Sequence, residues 1–116
     1  MEYRILDAKM APASSLIYGT GTGAISGDDE GAAIDCLDRA YAHGFTMFDS
    51  AYAYGNAEVY LGKWLSLRGL RDQVVILDKG CNPGQKGSAD VMSDRLIRNQ
   101  CEESLALSVS HCQSFL

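Results

Sequence analysis

The sequence predicts an α/β fold built on a parallel sheet, and three observations carry that expectation. Short apolar runs alternate with stretches of helical periodicity, the apolar runs end at glycines or polar clusters, and the helical stretches are long enough to serve as crossovers. Strand–helix alternation at this spacing gives parallel strands joined by right-handed connections.

The elements follow in order. Ser15 to Tyr18 (SLIY) is a short apolar run ending in glycines, which predicts a buried strand that stops at a loop. Asp28, Asp29 and Glu30 come next, and acids in a first turn suit the positive end of a helix. That helix carries Ala33, Cys36, Leu37, Ala40 and Tyr41 on one face and Asp35, Asp38 and Arg39 on the other. It closes at Gly44, a residue suited to the position just past a helix end. Phe45 to Phe48 is the second strand. Ala57, Tyr60, Leu61, Trp64 and Leu65 mark a second amphipathic helix closing near Gly69, and Val74 to Leu77 is a third, continuously apolar strand. A loop with Asn82, Pro83, Gly84 and Gly87 leads to a third helix with Ile97, Cys101 and Leu105 four apart, and Ser110 to Leu116 reads as the opening of a fourth strand. The chain has no tandem repeats, low-complexity segment or linker.

Composition narrows the class. A chain of 116 residues, 47% hydrophobic, suffices for one globular domain with a core. No apolar run approaches the length of a membrane span, and the first residues lack an apolar stretch after a basic one, so a soluble, cytoplasmic protein with no membrane partner is expected. Ten basic against fifteen acidic residues, a net charge of −5, argue against a nucleic-acid partner. Cys36, Cys81, Cys101 and Cys112 form no CxxC pair, so neither a metal site nor a disulfide framework is expected.

Two architectures fit this order: an open doubly wound sheet and a closed eight-stranded barrel. In both, chemistry collects at the carboxyl ends of the strands. Strand one ends in Gly19-Thr20-Gly21-Thr22-Gly23-Ala24, where Gly19, Gly21 and Ala24 satisfy G-x-G-x-x-[GA] and Asp49 stands ready for a ribose. A Rossmann-type dinucleotide-binding domain is therefore the rival reading. Against it, that fingerprint requires a helix to begin inside the glycine turn, and Ile25, Ser26 and Gly27 intervene before helical periodicity starts.

Strand two ends in Phe48-Asp49, followed by Ser50-Ala51-Tyr52-Ala53-Tyr54-Gly55-Asn56-Ala57-Glu58, and strand three ends in Leu77-Asp78-Lys79-Gly80. Taken singly, Asp49 reads as a turn cap, Tyr54 as a packed ring and Lys79 as a solvated cation. Together they set a carboxylate, a phenol and an ammonium at one rim of neighbouring strands. That combination has a chemical use.

The segment FDSAYAYGNAE, with VVILDKG after it, resembles the aldo-keto reductase family, whose pattern has an aspartate after strand two, a Tyr-Gly step five residues on and a Lys-Gly ending strand three. AYAHGF and the GTG of strand one also match. The resemblance runs from about Ser15 to the chain's end and is strongest from Ala40 to Gly80. One departure is Asp78, where the family more often has a small or hydroxyl residue; an acid there opposes the positive field of Lys79.

The resemblance implies the amino-terminal portion of a TIM (β/α)8 barrel, about three βα units plus the start of strand four, with residues 1–116 forming an incomplete domain. It implies NAD(P)H-linked reduction of a small-molecule aldehyde or ketone to an alcohol, with NADP the cofactor the family favours. Tyr54 is the implied general acid, Lys79 its cationic neighbour and Asp49 the residue that holds Lys79 and lies near the nicotinamide ribose. Gly19, Thr20 and Gly21 match the cofactor-side loop. A free phenol titrates near about 10, and lowering it by about three units takes roughly 4 kcal/mol. A cation about 4 Å away supplies roughly that much at an effective dielectric near 20. The arrangement works only with Asp49 farther from the phenol than Lys79.

Tyr52 is a competing phenol, but the Tyr-Gly step and the offset from Asp49 favour Tyr54; Tyr60 belongs to a helix face and the core. The family's catalytic histidine ends strand four and would fall about two positions beyond Leu116 on alignment with that strand. His111 stands at the wrong end of the strand, and His43 marks a helix terminus. A closed barrel needs about 250 residues. Little or no reductase activity is therefore expected of this chain alone, and a non-catalytic fragment or interaction module is the alternative. Substrate and oligomeric state have no signature here.

Overall fold

A computed structural model describes residues 1–81 and 93–108. It opens on a hairpin that the apolar pattern does not announce. Strands β1 (Tyr3–Arg4) and β2 (Ala13–Ser14) pair antiparallel, Tyr3 opposite Ser14. Two-residue strands are too short to show a period, so no alternation marks them. Thr46 fastens the hairpin to the body: its hydroxyl donates to Pro12 O at 2.6 Å and accepts from Ser14 N–H at 2.9 Å. The Tyr3 hydroxyl donates to Gly44 O at 3.1 Å.

Among the described residues, the sheet that carries the fold has three parallel strands in the order β3 (Tyr18–Gly19), β4 (Met47–Asp49) and β5 (Val75–Leu77). Each crossover is helical, as the alternation of periods requires. The SLIY run departs from expectation. Only Tyr18 enters the strand, and Leu16 and Ile17 are 60% and 47% exposed. β3 is an edge strand that pairs with β4 on one side only, so its outward residues find nothing to cover them among the described residues.

Between β3 and the first crossover lies α1 (Gly23–Ser26), a single turn that periodicity is too coarse to reveal. It begins inside the glycine turn, where helical periodicity predicts no helix, but it ends after one turn and buries Ile25 completely. Helix α2 (Glu30–Ala42) starts at Asp29, whose carboxylate accepts Ala32 N–H at 3.0 Å, and stops where Gly44 takes a φ of +90°. It buries Ala33, Leu37 and Ala40. Helix α3 (Ala57–Arg68) ends at Gly69, left-handed at φ +64°.

Phe48, Leu37, Leu61, Trp64, Leu65 and Ile25 form the centre of the core, with the Phe48 and Trp64 rings 5.2 Å apart. Asp38, assigned above to the polar face of α2, is in fact the cap of this core. It accepts Trp64 Nε1–H at 2.9 Å and a two-pronged contact from Arg68, at 3.0 and 2.7 Å. A buried indole N–H needs such an acceptor.

Helix α4 (Asp94–Ser108) lies against α3. Its expected stripe is offset by one position: Ile97 is 40% exposed, whereas Gln100 and Ser104 are buried. Polar residues on the inward face hid the register from hydrophobic pattern. The loop with Asn82, Pro83, Gly84 and Gly87, the expected fourth strand from Ser110, and His111 and Cys112 lie outside the described residues. No described helix is long and apolar enough to cross a membrane.

Candidate active site

Register decides what meets at the rim. Gly19, Asp49 and Leu77 are cross-strand partners, so the residues after each strand leave the same carboxyl edge. Backbone bonds carry the ladder past the strands: Thr20 N–H donates to Asp49 O at 2.9 Å, Ser50 N–H to Leu77 O at 2.8 Å and Tyr52 N–H to Lys79 O at 2.8 Å. Beneath this rim the fully buried Thr20 hydroxyl lies 3.0 Å from Asp49 O and 3.1 Å from Ser50 Oγ.

Above it, Lys79 is ion-paired with Asp49. The same ammonium stands over the Tyr54 ring, 5.1 Å from its centroid. At that distance a cation is attracted by the ring face. The three residues singled out from sequence thus occupy one place, and Lys79 is the link between the other two. Both ion-pair partners keep some access to solvent, with side chains 40% and 26% exposed for Lys79 and Asp49.

The Tyr54 loop is fixed by α1. Gly55 has φ +56°, and a Cβ there would strike Ser26 O, so only glycine fits. Asn56 donates its amide N–H to Ser26 O at 3.2 Å and its side chain to Gly27 O at 2.8 Å. The glycines of strand one acquire a different reason from a dinucleotide fingerprint. A Cβ on Gly21 would come within 3.0 Å of Tyr54 Cε2, so Gly21 makes room for the phenol. Gly19 has open space at its Cβ position. Thr20, the third cofactor-side residue expected from sequence, is buried with its hydroxyl engaged inside the protein.

The competing phenol is committed elsewhere. Tyr52 donates to Glu103 Oε2 on α4, and that bond, with burial, pushes its ionisation above the usual phenol range. Tyr60 is buried in the core, and His43 closes α2 with Nδ1 2.7 Å from Arg39 O. No group of three or more His, Cys, Asp or Glu side chains suited to a metal occurs among the described residues.

Sequence reasoning missed Glu58. It is 2% exposed on the first turn of α3 and faces Asp78, also 2% exposed. Burial, then Glu58's hydrogen bond and charge, push Asp78 up to about 7 against the pull of Lys79. A signal for Glu58 existed: with Leu61 and Leu65 it falls at positions i, i+3 and i+7, on the inward face. Gln100, which accepts Cys81 N–H just past Lys79, was equally hidden.

The sequence matches the family model for aldo/keto reductases over residues 15–111. This chain belongs to the aldo/keto reductase family. It is 38% identical over 85 residues to the aldo-keto reductase str7 of Strobilurus tenacellus, covering 72% of this chain and 23% of that protein. The Escherichia coli protein tas is 28% identical over 117 residues, 89% of this chain and 34% of the relative. Among solved structures, a Pseudomonas aeruginosa protein of aldo-keto reductase type superposes with a TM-score of 0.77 at 30% identity, over 98% of this chain and 45% of that one. The holo form of an aldo-keto reductase from Bacillus halodurans gives 0.76 at 25% identity, over 99% and 39%. The aldo/keto reductase chain is thus an amino-terminal portion of a (β/α)8 barrel, not a doubly wound sheet, and it spans less than half the length of these relatives.

Proposed function

We propose that the rim residues of this chain serve the NAD(P)H-linked reduction of a small-molecule aldehyde or ketone to its alcohol, with NADP as the cofactor. The observation that carries the reading is Lys79, bound to Asp49 and standing 5.1 Å over the Tyr54 ring. The nicotinamide would supply the hydride, and the protein must supply the proton.

Tyr54 is the donor, its hydroxyl proton going to the oxygen on which negative charge develops. Lys79 stabilises the phenolate left behind, and Asp49 keeps the ammonium charged and aimed. A protonated Asp78 matters here, because a neutral acid next to Lys79 does not cancel its field. Gly19 leaves the rim free of a side chain where a flat cofactor would lie, Gly21 makes room for the Tyr54 ring, and Asp49 is the candidate contact to the cofactor's ribose. Thr20 acts from below, fixing the Asp49 backbone through its hydroxyl.

The described residues build an open arc of three strands, and reduction requires the rest of a barrel. We therefore assign little turnover to the 116-residue chain alone. A soluble cytoplasmic setting belongs to the same reading. The alternative, a non-catalytic module that associates through its open edge, is favoured by the exposure of Leu16 and Ile17 beside β3.

The test uses a chimera in which this chain replaces the matching part of the Pseudomonas aeruginosa protein. Tyr54→Phe should lower carbonyl-dependent NADPH oxidation by about 10²–10⁴-fold, the usual contribution of a positioned acid, while NADPH affinity holds. Undiminished turnover in that variant would refute the assignment.

A further inference from the structure

Beneath Lys79 two acids are buried together. Glu58, from the first turn of α3, and Asp78, at the end of β5, are each 2% exposed. Neither Glu58 Oε1 nor Asp78 Oδ2 finds a donor among the described residues. The other Asp78 oxygen accepts the backbone N–H of Lys79 at 2.9 Å. Two ionised carboxylates sealed in one contact would repel and lack solvation; a single proton converts the repulsion into an O–H···O⁻ hydrogen bond.

We propose that Glu58 and Asp78 share one proton and act as a positioning pair for Lys79, locking the Asp78 cap on the Lys79 amide and joining the start of α3 to the end of β5. Asp78 and Glu58 touch no reacting atom in this account; they act through Lys79. Burial and the adjoining Glu58 hold the Asp78 proton up to about 7, so the pair loses it across neutrality. Above that range the second negative charge lies next to Lys79 and opens the carboxyl contact. The surrounding charged and titratable groups are Lys79 itself, Asp49 bound to it, Tyr54 under its ammonium, Tyr52 and, on α4, Glu103. Lys79 alone among these is a cation, and its amide and its charge both pull the Asp78 proton down against burial and Glu58.

The functional meaning of the pair rests on the role proposed for Lys79, but its existence does not. The test therefore needs neither substrate nor cofactor. Carboxyl-carbon NMR of the full chain, from about pH 5 to about pH 9, should show Asp78 titrating near 7, with the Lys79 amide shift following the same midpoint. Glu58→Gln replaces the shared proton with amide N–H donors, so the Asp78 midpoint should fall out of that range with helix content unchanged. Asp78→Asn keeps an acceptor for the Lys79 amide, whose shift should then be flat across neutrality. An Asp78 carboxyl already ionised at pH 5 in the wild-type chain overturns the proposal without recourse to any variant. An unaltered midpoint in Glu58→Gln, or a persistent Lys79 midpoint in Asp78→Asn, overturns it as well. Loss of reductase activity in the Tyr54 experiment leaves these outcomes untouched, which keeps the two readings separable.

Discussion

At the scale of the residue, Lys79 is the point where Asp49 and Tyr54 meet. Asp49 and Lys79 were legible as neighbours because register brings the carboxyl ends of β4 and β5 together, whereas Tyr54 reaches them through the loop that Ser26 and Gly27 hold. Glu58 shares the inward face of α3 with Leu61 and Leu65, a spacing visible in sequence, but the apolar rule that identifies such faces passes over a carboxylate. Gly21 is the residue whose purpose changed most: it accommodates the Tyr54 ring, with Cε2 3.0 Å from where a Cβ would stand. Gly21→Ala should displace that ring. In the chimera a misplacement of about 1 Å costs about 10²-fold in turnover, with the protein still folded. Ring-proton shifts of Tyr54 would register the movement, and an unmoved ring would show that the neighbouring backbone gives way instead.

At the scale of the element, caps were easier to read than strands. Asp29 opens α2 and Gly44 and Gly69 close α2 and α3 where turn chemistry demands. Asp29→Ala should cost about 1 kcal/mol in a urea melt. β3 shrank to two residues because strand length depends on a partner that the sequence run itself does not contain. Asp38 is one link between α2 and α3, and its removal strands the indole N–H of the fully buried Trp64. Asp38→Ala should therefore destabilise by about 1–3 kcal/mol. Arg68, then Trp64, hold the Asp38 carboxyl below the usual carboxylate range. A depressed folded-state value contributes stability above the unfolded one near 3.8 and loses it as pH falls through the folded value. Asp38→Asn should flatten the acid limb of a stability-versus-pH curve, and a limb that stays as steep assigns acid unfolding to other groups.

At the scale of the whole molecule, the described residues form an arc of a barrel whose β3 flank exposes Leu16 and Ile17. Asp78 imposes the opposite pH limb from Asp38. Its folded-state proton is held to about 7 against 3.8, so the folded chain binds more protons than the unfolded one between those values. Stability from this group is full below the lower value and lost as pH rises through the upper one. Asp78→Asn should remove that decline in urea midpoints, and its survival would trace the decline elsewhere. Barrel membership was legible from the order of elements joined to three motifs, whereas the N-terminal hairpin and α1 were too short to carry a period. In the proposed reaction Tyr54, not its neighbour, delivers the proton under the control of Lys79. Carbonyl-dependent NADPH oxidation by the chimera tests it most directly when Tyr54→Phe and Tyr52→Phe are measured side by side. A loss of about 10²–10⁴-fold is expected for the first and near wild-type turnover for the second. Equal losses in both, or a loss confined to Tyr52→Phe, would contradict it.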